Sequence, residues 1–170
     1  GFDHLFFVAL MGVAAAFTAR PFAAPAAYLL AMLAGCAAIS AGIVLPATEL
    51  VVVASLIVLG GVVLSGRSLP MGATLGLFAL FGLFHGAAFG GTISGQEGGV
   101  GGPVFVGYLI GLAVTQYLIA IGAGFVLRRV LGATAATSME ARLAGAAVAG
   151  VGVFLALELA EGPIVALLAA

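Results

Sequence analysis

Long apolar stretches separated by short polar breaks are the dominant pattern of this chain. Six stretches of about 20 residues each, the length that spans the roughly 30 Å hydrocarbon layer of a bilayer as a helix, can be drawn along it. They lie at approximately residues 3–19, 24–45, 48–66, 70–93, 103–127 and 141–161. The stretches lack the alternation of strands and are rich in Ala, Leu and Gly. The pattern therefore predicts an all-α polytopic transmembrane bundle of about six helices, which forms a single domain over residues 1–170.

Proline and glycine mark the breaks between the predicted helices. Pro46 separates the second stretch from the third, and Pro70 suits the first turn of the fourth helix. A glycine-rich segment, residues 90–103, separates the fourth helix from the fifth. The dipeptide Gly162-Pro163 either ends the sixth helix or kinks it.

Glycines at four-residue spacing predict close packing of helices. Small residues at this spacing let helix backbones approach one another in lipid. The pattern occurs on the fourth helix and at the start of the fifth, at Gly72 and Gly76, at Gly82, Gly86 and Gly90, and at Gly107 and Gly111. The fourth helix is therefore predicted to be central and tightly surrounded.

Composition agrees with a membrane protein and excludes several classes. Hydrophobic residues make up 64% of the chain and charged residues 6%, whereas soluble domains carry about 25% charged residues. The net charge of −1 gives no basic surface for nucleic acid. A single cysteine, Cys36, excludes a disulfide framework.

The distribution of basic residues predicts an orientation in the membrane. All of them fall in alternate breaks, which lie on one side of the bilayer: Arg20, Arg67, Arg128, Arg129 and Arg142. The positive-inside rule then places this side in the cytoplasm and the N-terminus outside. The chain begins at Gly1 rather than Met, which indicates a removed signal peptide or a shortened chain. We therefore predict a protein of the bacterial inner membrane with a periplasmic N-terminus.

Both histidines and several carboxylates are expected on the side opposite the arginines. Histidine and carboxylate are costly at membrane depth and usually mark a pathway or a metal site. The candidate ligands are Asp3, His4, Glu49, His85 and Glu97. Imidazole favours Ni²⁺, Co²⁺, Zn²⁺ or Cu²⁺, whereas carboxylates alone would favour Mg²⁺ or Ca²⁺. The residue types therefore predict a site for a borderline divalent cation.

The two histidines and Asp3 also have purely structural explanations. Asp3 is a suitable N-cap for the first helix, and His4 is tolerated at the membrane interface. His85 lies well inside the fourth helix, where a hydrogen bond to a neighbouring helix, through a backbone carbonyl, Ser or Thr, would satisfy it. The flanking glycine at position 86 instead makes room for a ligand or a close helix.

The other acids have similar alternatives. Glu49 begins the third helix, where the helix dipole favours a negative charge. Glu97 lies in the glycine-rich segment, where a solvated loop acid is common. Glu158 is a weaker sixth candidate. It lies one turn from Glu161 at the outer end of the sixth helix, and we expect solvation there rather than metal binding.

At these residues the chain resembles the HupE/UreJ family of hydrogenase and urease accessory membrane proteins. The opening Gly-Phe-Asp-His-Leu at residues 1–5 and the Phe-His-Gly at residues 84–86 are similar to two family motifs. Many members carry a second histidine where this chain has Phe89. The Gly-Gln-Glu at residues 95–97 instead resembles a cyanobacterial-type branch, and Glu49 is similar to a family acid that opens the third helix.

The resemblance implies a secondary permease for nickel or cobalt rather than an enzyme. It implies a metal site of Asp3, His4, His85 and Glu97, with Glu49 nearby. We therefore predict uptake of Ni²⁺ or Co²⁺, with Zn²⁺ or Cu²⁺ as other candidate substrates, driven by the membrane potential or a proton gradient. Ligation needs unprotonated imidazole, so we expect the affinity to fall below about pH 6.

Two other functions are compatible with these residues. One is a metal-binding sensor or a metalloenzyme-assembly accessory protein that does not transport. The other, an intramembrane metal-dependent enzyme, usually needs more histidines than the two present here. The expected partners are the metal ion and the lipid bilayer, with no nucleic acid, and a homo-oligomer is left open.

Overall fold

The computed structural model of the chain describes residues 1–94 and 102–168, and within these ranges it contains helices and no strand. The α-helices in chain order are α1 (Phe2–Ala15), α2 (Ala23–Ser40), α3 (Thr48–Leu64), α4 (Met71–Ser94), α5 (Gly102–Phe125) and α6 (Met139–Leu168). A short π-helical turn, Val126–Val130, continues α5. The predicted all-α bundle is confirmed.

The helices differ in length more than the hydropathy pattern suggests. Four of them, α2, α4, α5 and α6, are long and apolar enough to cross a membrane. Helix α1 has 14 residues and α3 has 17, which corresponds to roughly 21 and 25 Å at 1.5 Å per residue. The two remaining helices are therefore short for a full crossing of the hydrocarbon layer.

Hydropathy overestimated some helices because apolar residues also occupy the connections. Helix α2 was predicted to reach residue 45 but ends at Ser40. Gly42 adopts the left-handed conformation with φ of +82°, and the Ile43 amide donates to the Ala38 carbonyl at 2.9 Å. This is the glycine-terminated helix end of the Schellman type. The sequence predicted that Gly162-Pro163 either ends or kinks the last helix. The first alternative is wrong, because α6 continues to Leu168.

Helix α1 lies at the centre of the bundle, in contact with each of the other helices. Its buried side chains pack against fully buried residues from α2, α3 and α4. The residues that form this core include Phe7, Met11, Tyr28, Met32, Leu56, Leu59 and Phe78. The predicted centre was α4, so the short first helix takes the position that the glycine pattern assigned to the fourth.

Close packing of α4 is confirmed along one of the predicted glycine rows. Gly82, Gly86 and Gly90 face the backbone of α2, and a methyl group at position 86 would collide with the carbonyl of Met32. The other two glycine rows face no neighbouring helix closely. A methyl group built at any of their glycines would have no atom from another described part of the chain within 4 Å: Gly72, Gly76, Gly107 and Gly111. Four-residue glycine spacing alone does not say which face of a helix meets a neighbour.

The two ends of the bundle differ in charge. At one end, which we call the arginine end, Arg128 donates to the Ala16 carbonyl at 3.1 Å and Arg142 donates to the Leu64 carbonyl at 2.9 Å. Each arginine thus satisfies a carbonyl at the C-terminus of α1 or α3, where cations are favourable. At the opposite end, the acidic end, Asp3 and Glu49 lie in the first turns of the same two helices.

Candidate metal site

The two histidines of the chain lie in direct contact although 80 residues of sequence separate them. His4 comes from the first turn of α1 and His85 from α4, and their ring centroids are 4.6 Å apart at an interplanar angle of 72°. His85 is completely buried. The pair brings together two nitrogen-bearing rings of the kind that bind borderline divalent metals.

Ser55 of α3 determines which nitrogen of His85 is free. The Ser55 hydroxyl donates to the Val52 carbonyl at 2.6 Å, which uses its single hydrogen. Its oxygen lies 2.9 Å from His85 Nε2, so it acts there as the acceptor and Nε2 carries the proton. The hydrogen-bond network therefore assigns the tautomer in which His85 Nδ1 keeps an unprotonated lone pair, the form that ligates a metal.

Asp3 has a comparable relation to His4. Asp3 Oδ2 lies 2.9 Å from His4 Nδ1, within ion-pair distance, although the contact lacks the alignment of a hydrogen bond. The negative charge favours a proton on Nδ1 and leaves Nε2 as the nitrogen with the lone pair. A carboxylate beside the distal nitrogen of a ligating histidine is a frequent arrangement at metal sites.

Several buried polar atoms around this pair have no hydrogen-bond partner among the described residues. They are His85 Nδ1, both ring nitrogens of His4, of which Nδ1 faces Asp3, and the hydroxyl of Tyr28, whose ring lies 5.8 Å from that of His85. Buried polar groups are almost always satisfied, so a cluster of unsatisfied ones requires an explanation. Phe7 and Phe89 cover the imidazoles at centroid distances of 4.4 and 4.5 Å. A cation between the two free nitrogens would satisfy both of them.

An open acidic groove adjoins the pair at the same end of the bundle. It has a volume of about 630 Å³ and is lined by Asp3 of α1, Glu49 of α3 and Glu158 of α6. Glu97, the fifth predicted ligand, lies outside the described residues. Within the described part of the chain, no group of three or more His, Cys, Asp or Glu side chains is arranged to hold a metal. The described candidate centre therefore consists of the imidazole pair with Asp3 at its edge.

A comparison with known protein families gives a match over most of the chain. The family model described as HupE / UreJ protein matches residues 1–155. The chain belongs to the HupE/UreJ family. This family is associated with an accessory function in nickel and cobalt uptake, and it is not known as an enzyme family. Neither a curated protein nor a solved structure matches the chain significantly. The assignment to a cyanobacterial branch stays a prediction.

Membership of the HupE/UreJ family and the four long apolar helices together identify an integral membrane protein.

The fold tests the structural explanations given above for Asp3, His85 and Glu49. Asp3 is not the N-cap of α1, since Gly1 holds that position and no side chain caps the helix. His85 does bond a serine of a neighbouring helix, but this bond uses Nε2 and leaves Nδ1 free. Glu49 lies in the first turn of α3, as the helix-dipole explanation expects, and it also lines the groove.

The HupE/UreJ bundle is closed beyond the imidazole pair. Phe81 and Phe78 follow His85 along α4 toward the arginine end and are 5% and 0% exposed. Below them lies a cavity of about 20 Å³ lined by Thr18, Ser68 and Thr74 among others, with Phe78 in its wall. A volume of this size holds about one water molecule. The hydropathy pattern gave no indication of this small cavity, whose lining is mostly apolar with a few hydroxyl groups, in the half of the bundle near the arginines.

Sequence reasoning missed two residues of this HupE/UreJ site, Ser55 and Tyr28, and ranked a third, Glu158, below the other candidate ligands. Ser55 and Tyr28 are an ordinary serine and tyrosine within apolar helices, and only their contacts with His85 distinguish them. Glu158 was expected to be solvated, and it is exposed, but it shares the groove with the other two acids. A buried serine at depth in an apolar stretch is the one signal that could have drawn attention to α3.

Proposed function

We propose that this protein carries Ni²⁺ or Co²⁺ across the bacterial inner membrane, from the periplasm toward the cytoplasm. The acidic end of the bundle and the N-terminus face the periplasm in this proposal, and the arginine end faces the cytoplasm, as the positive-inside rule requires. The ion is the transported substrate. It binds between His4 and His85, with Asp3 at the edge of the site.

The observation that carries the proposal is the pair of buried imidazoles with unpartnered nitrogens. Each ring has a second group beside its other nitrogen, Ser55 for His85 and Asp3 for His4. This combination orients the lone pairs of His85 Nδ1 and His4 Nε2 for ligation. Because the two rings are in contact, an ion enters only when they part. Such a site binds reversibly, as transport demands.

The acidic groove supports capture of cations at the periplasmic end. Its carboxylates raise the local concentration of cations at the mouth of the site, since a groove lined by charges of one sign focuses the field. The membrane potential then favours inward movement. A divalent ion gains about 4.6 kcal/mol in crossing 100 mV, because each elementary charge gains about 2.3 kcal/mol. No additional energy source is needed for downhill uptake.

Calorimetry on the purified protein tests the site. Titrations use Ni²⁺, Co²⁺, Zn²⁺ and Mg²⁺ on the wild type and on His85→Phe, which keeps a ring and removes the nitrogens. Gln116→Leu serves as the matched control, because Gln116 is also a buried polar residue, on α5. We expect Ni²⁺ or Co²⁺ binding in the wild type and the control and none in His85→Phe. Equal binding in all three would refute the site.

The closed aromatic layer favours one second candidate, a metal-binding accessory protein without transport. Uptake of Ni²⁺ into proteoliposomes under an imposed potential separates the two functions. The variant Phe78→Ala removes a fully buried ring between the site and the inner cavity. A transporter takes up Ni²⁺ in the wild type and loses this activity in His85→Phe, while Phe78→Ala changes the rate and keeps the affinity. Binding without uptake in every variant would favour the accessory function.

A further inference from the structure

A second groove lies at the arginine end, on the opposite side of the bundle from the acids. It has a volume of about 260 Å³ and runs between α1 and the C-terminal part of α5. Its floor and walls are apolar, and its rim is basic. The lining residues that matter here are Gly12, Ala16, Ile121, Phe125, Arg128 and Arg129.

The two arginines at the rim are held by an uncommon piece of backbone. They lie within the π-helical turn Val126–Val130, which is closed by a hydrogen bond from the Leu131 amide to the Val126 carbonyl at 3.0 Å. Turns of this kind are rare in helices and are frequently found at functional sites. Both consecutive arginines border the same groove as a result.

These arginines have unused binding capacity. Arg128 donates one hydrogen bond, to the Ala16 carbonyl at 3.1 Å, out of the several donors of its guanidinium. The ion pairs found among the described residues all involve Asp3 at the other end of the bundle, so neither arginine has a carboxylate partner there. Two guanidinium groups that line one groove and have no carboxylate partner among the described residues provide the donors and the positive charge that a phosphate binds.

The apolar part of the groove distinguishes a lipid from a free anion. Phe125 and Phe22, which line the groove, are 60% and 63% exposed, so the groove opens sideways along apolar surface. Gly12 and Ala16 pack closely against α5, where a methyl group at Gly12 would collide with the Ala120 carbonyl, so the groove runs beside this contact between the two helices. A free phosphate would contact the arginines alone, whereas a phospholipid would fill both parts of the groove.

We propose that this groove binds an anionic phospholipid, with the phosphate on Arg128 and Arg129 and an acyl chain along Ile121 and Phe125. Basic pockets between transmembrane helices are suited to anionic headgroups. The position of the groove at the end of α1 means that the bound lipid would brace the central helix, which also carries His4. This proposal does not depend on metal transport and stands or falls separately.

The test measures lipid retention by native mass spectrometry on purified protein exchanged into detergent with phosphatidylglycerol or phosphatidylcholine. We expect the wild type to prefer phosphatidylglycerol. In Arg129→Gln, the preference should fall about fivefold, and in the double variant with Arg128→Gln roughly 30-fold, since each arginine near an anionic headgroup contributes a factor of about five. Arg67→Gln, which removes the same charge at the same end but outside this groove, is the matched control and should behave as wild type.

The outcomes distinguish the proposal from its alternatives. Arg128 also bonds the end of α1, so the double variant can fail to fold. For that reason Arg129→Gln alone decides the charge contribution, and Ile121→Trp, which fills the groove without changing charge, decides the acyl contribution. Equal retention of both lipids by the wild type, an equal loss in Arg67→Gln, or full displacement of phosphatidylglycerol by inorganic phosphate would each overturn the proposal.

Discussion

Replacing Ser55 by alanine is the most direct probe of how the metal site is prepared. The Ser55 hydroxyl hydrogen-bonds the Val52 carbonyl and His85, and the residue is completely buried. The change removes the oxygen that accepts the Nε2 proton of His85 and leaves the imidazole in place. The proton is then free to move to Nδ1, the nitrogen that the site needs unprotonated.

The size of the effect follows from the burial of this contact. A buried donor that loses its partner costs about 1–3 kcal/mol. Residues that orient a ligating histidine change metal affinity by about 10- to 100-fold, or roughly 1.4 to 2.7 kcal/mol. The 2.9 Å contact is short and enclosed by protein, so we expect Ser55→Ala to weaken Ni²⁺ binding by about this factor.

Two variants and two measurements isolate the role of the hydroxyl. Ser55→Thr keeps a hydroxyl group and should retain most of the affinity. Ser40→Ala removes a hydroxyl that bonds only the Cys36 carbonyl of its own helix and should bind as wild type does. Calorimetry gives the affinities, and ¹⁵N NMR of labelled histidine reports which ring nitrogen carries the proton. A merely structural role for Ser55 would leave the tautomer unchanged.

The reasoning is refuted by a specific result. If Ser55→Ala folds and binds Ni²⁺ within twofold of the wild type while His85→Phe binds none, His85 ligates the metal without help from Ser55. If the NMR spectra show a proton on Nδ1 in the wild type, the assigned tautomer is wrong.

Three further predictions concern the groove, the packing of α4 and pH. Because Glu158 lines the acidic groove, Glu158→Gln should lower Ni²⁺ uptake at low ionic strength by roughly two- to fivefold. Glu161→Gln should leave uptake unchanged. An effect of Glu158→Gln that persists in high salt would contradict a screened surface charge. Gly86→Ala should destabilise the protein by about 1–3 kcal/mol in thermal unfolding through overpacking, because its methyl group meets the Met32 carbonyl, whereas Gly72→Ala has open space and should be nearly neutral. Ni²⁺ affinity should fall on acidification wherever an imidazole becomes protonated, because protons and the metal compete for the same ring nitrogen. Histidine NMR over the same pH range identifies that point, and a decrease in affinity without protonation of either imidazole would contradict histidine ligation.

Local sequence was sufficient for the class of fold and for the placement of charge. Apolar stretches of about 20 residues predict membrane helices, because each helix satisfies its own backbone hydrogen bonds within one segment. The helix ends were less accurate where apolar residues such as Ile43 and Val44 lie in a connection. Hydropathy measures the affinity of a residue for lipid, and only a chain-reversing feature such as Gly42 at φ of +82° ends the helix.

Sequence likewise indicated some residues of the candidate site and not others. Residue type alone indicated His4, His85 and Asp3, because imidazole and carboxylate are expensive in an apolar environment and require a reason. Sequence also placed Glu49 at the acidic end, where the structure finds it lining the groove with Asp3. It named Glu158 as a weaker candidate but expected both Glu158 and Glu161 to be solvated, because both lie near the same end of α6. In the structure, Glu158 is the one of the two that lines the groove with acids of α1 and α3.

The sequence by itself therefore determined that this is a helical membrane protein with most of its acids at the end opposite the arginines and with two histidines in an otherwise apolar chain. Only the tertiary structure decided that the two imidazoles touch, that Ser55 lies within hydrogen-bond distance of Nε2 of one of them, and that α1 occupies the centre of the bundle. The physical reason is that helix formation and membrane partitioning depend on neighbours within a few turns. Contacts between side chains on different helices depend instead on how the helices pack, at a precision of a few tenths of an ångström.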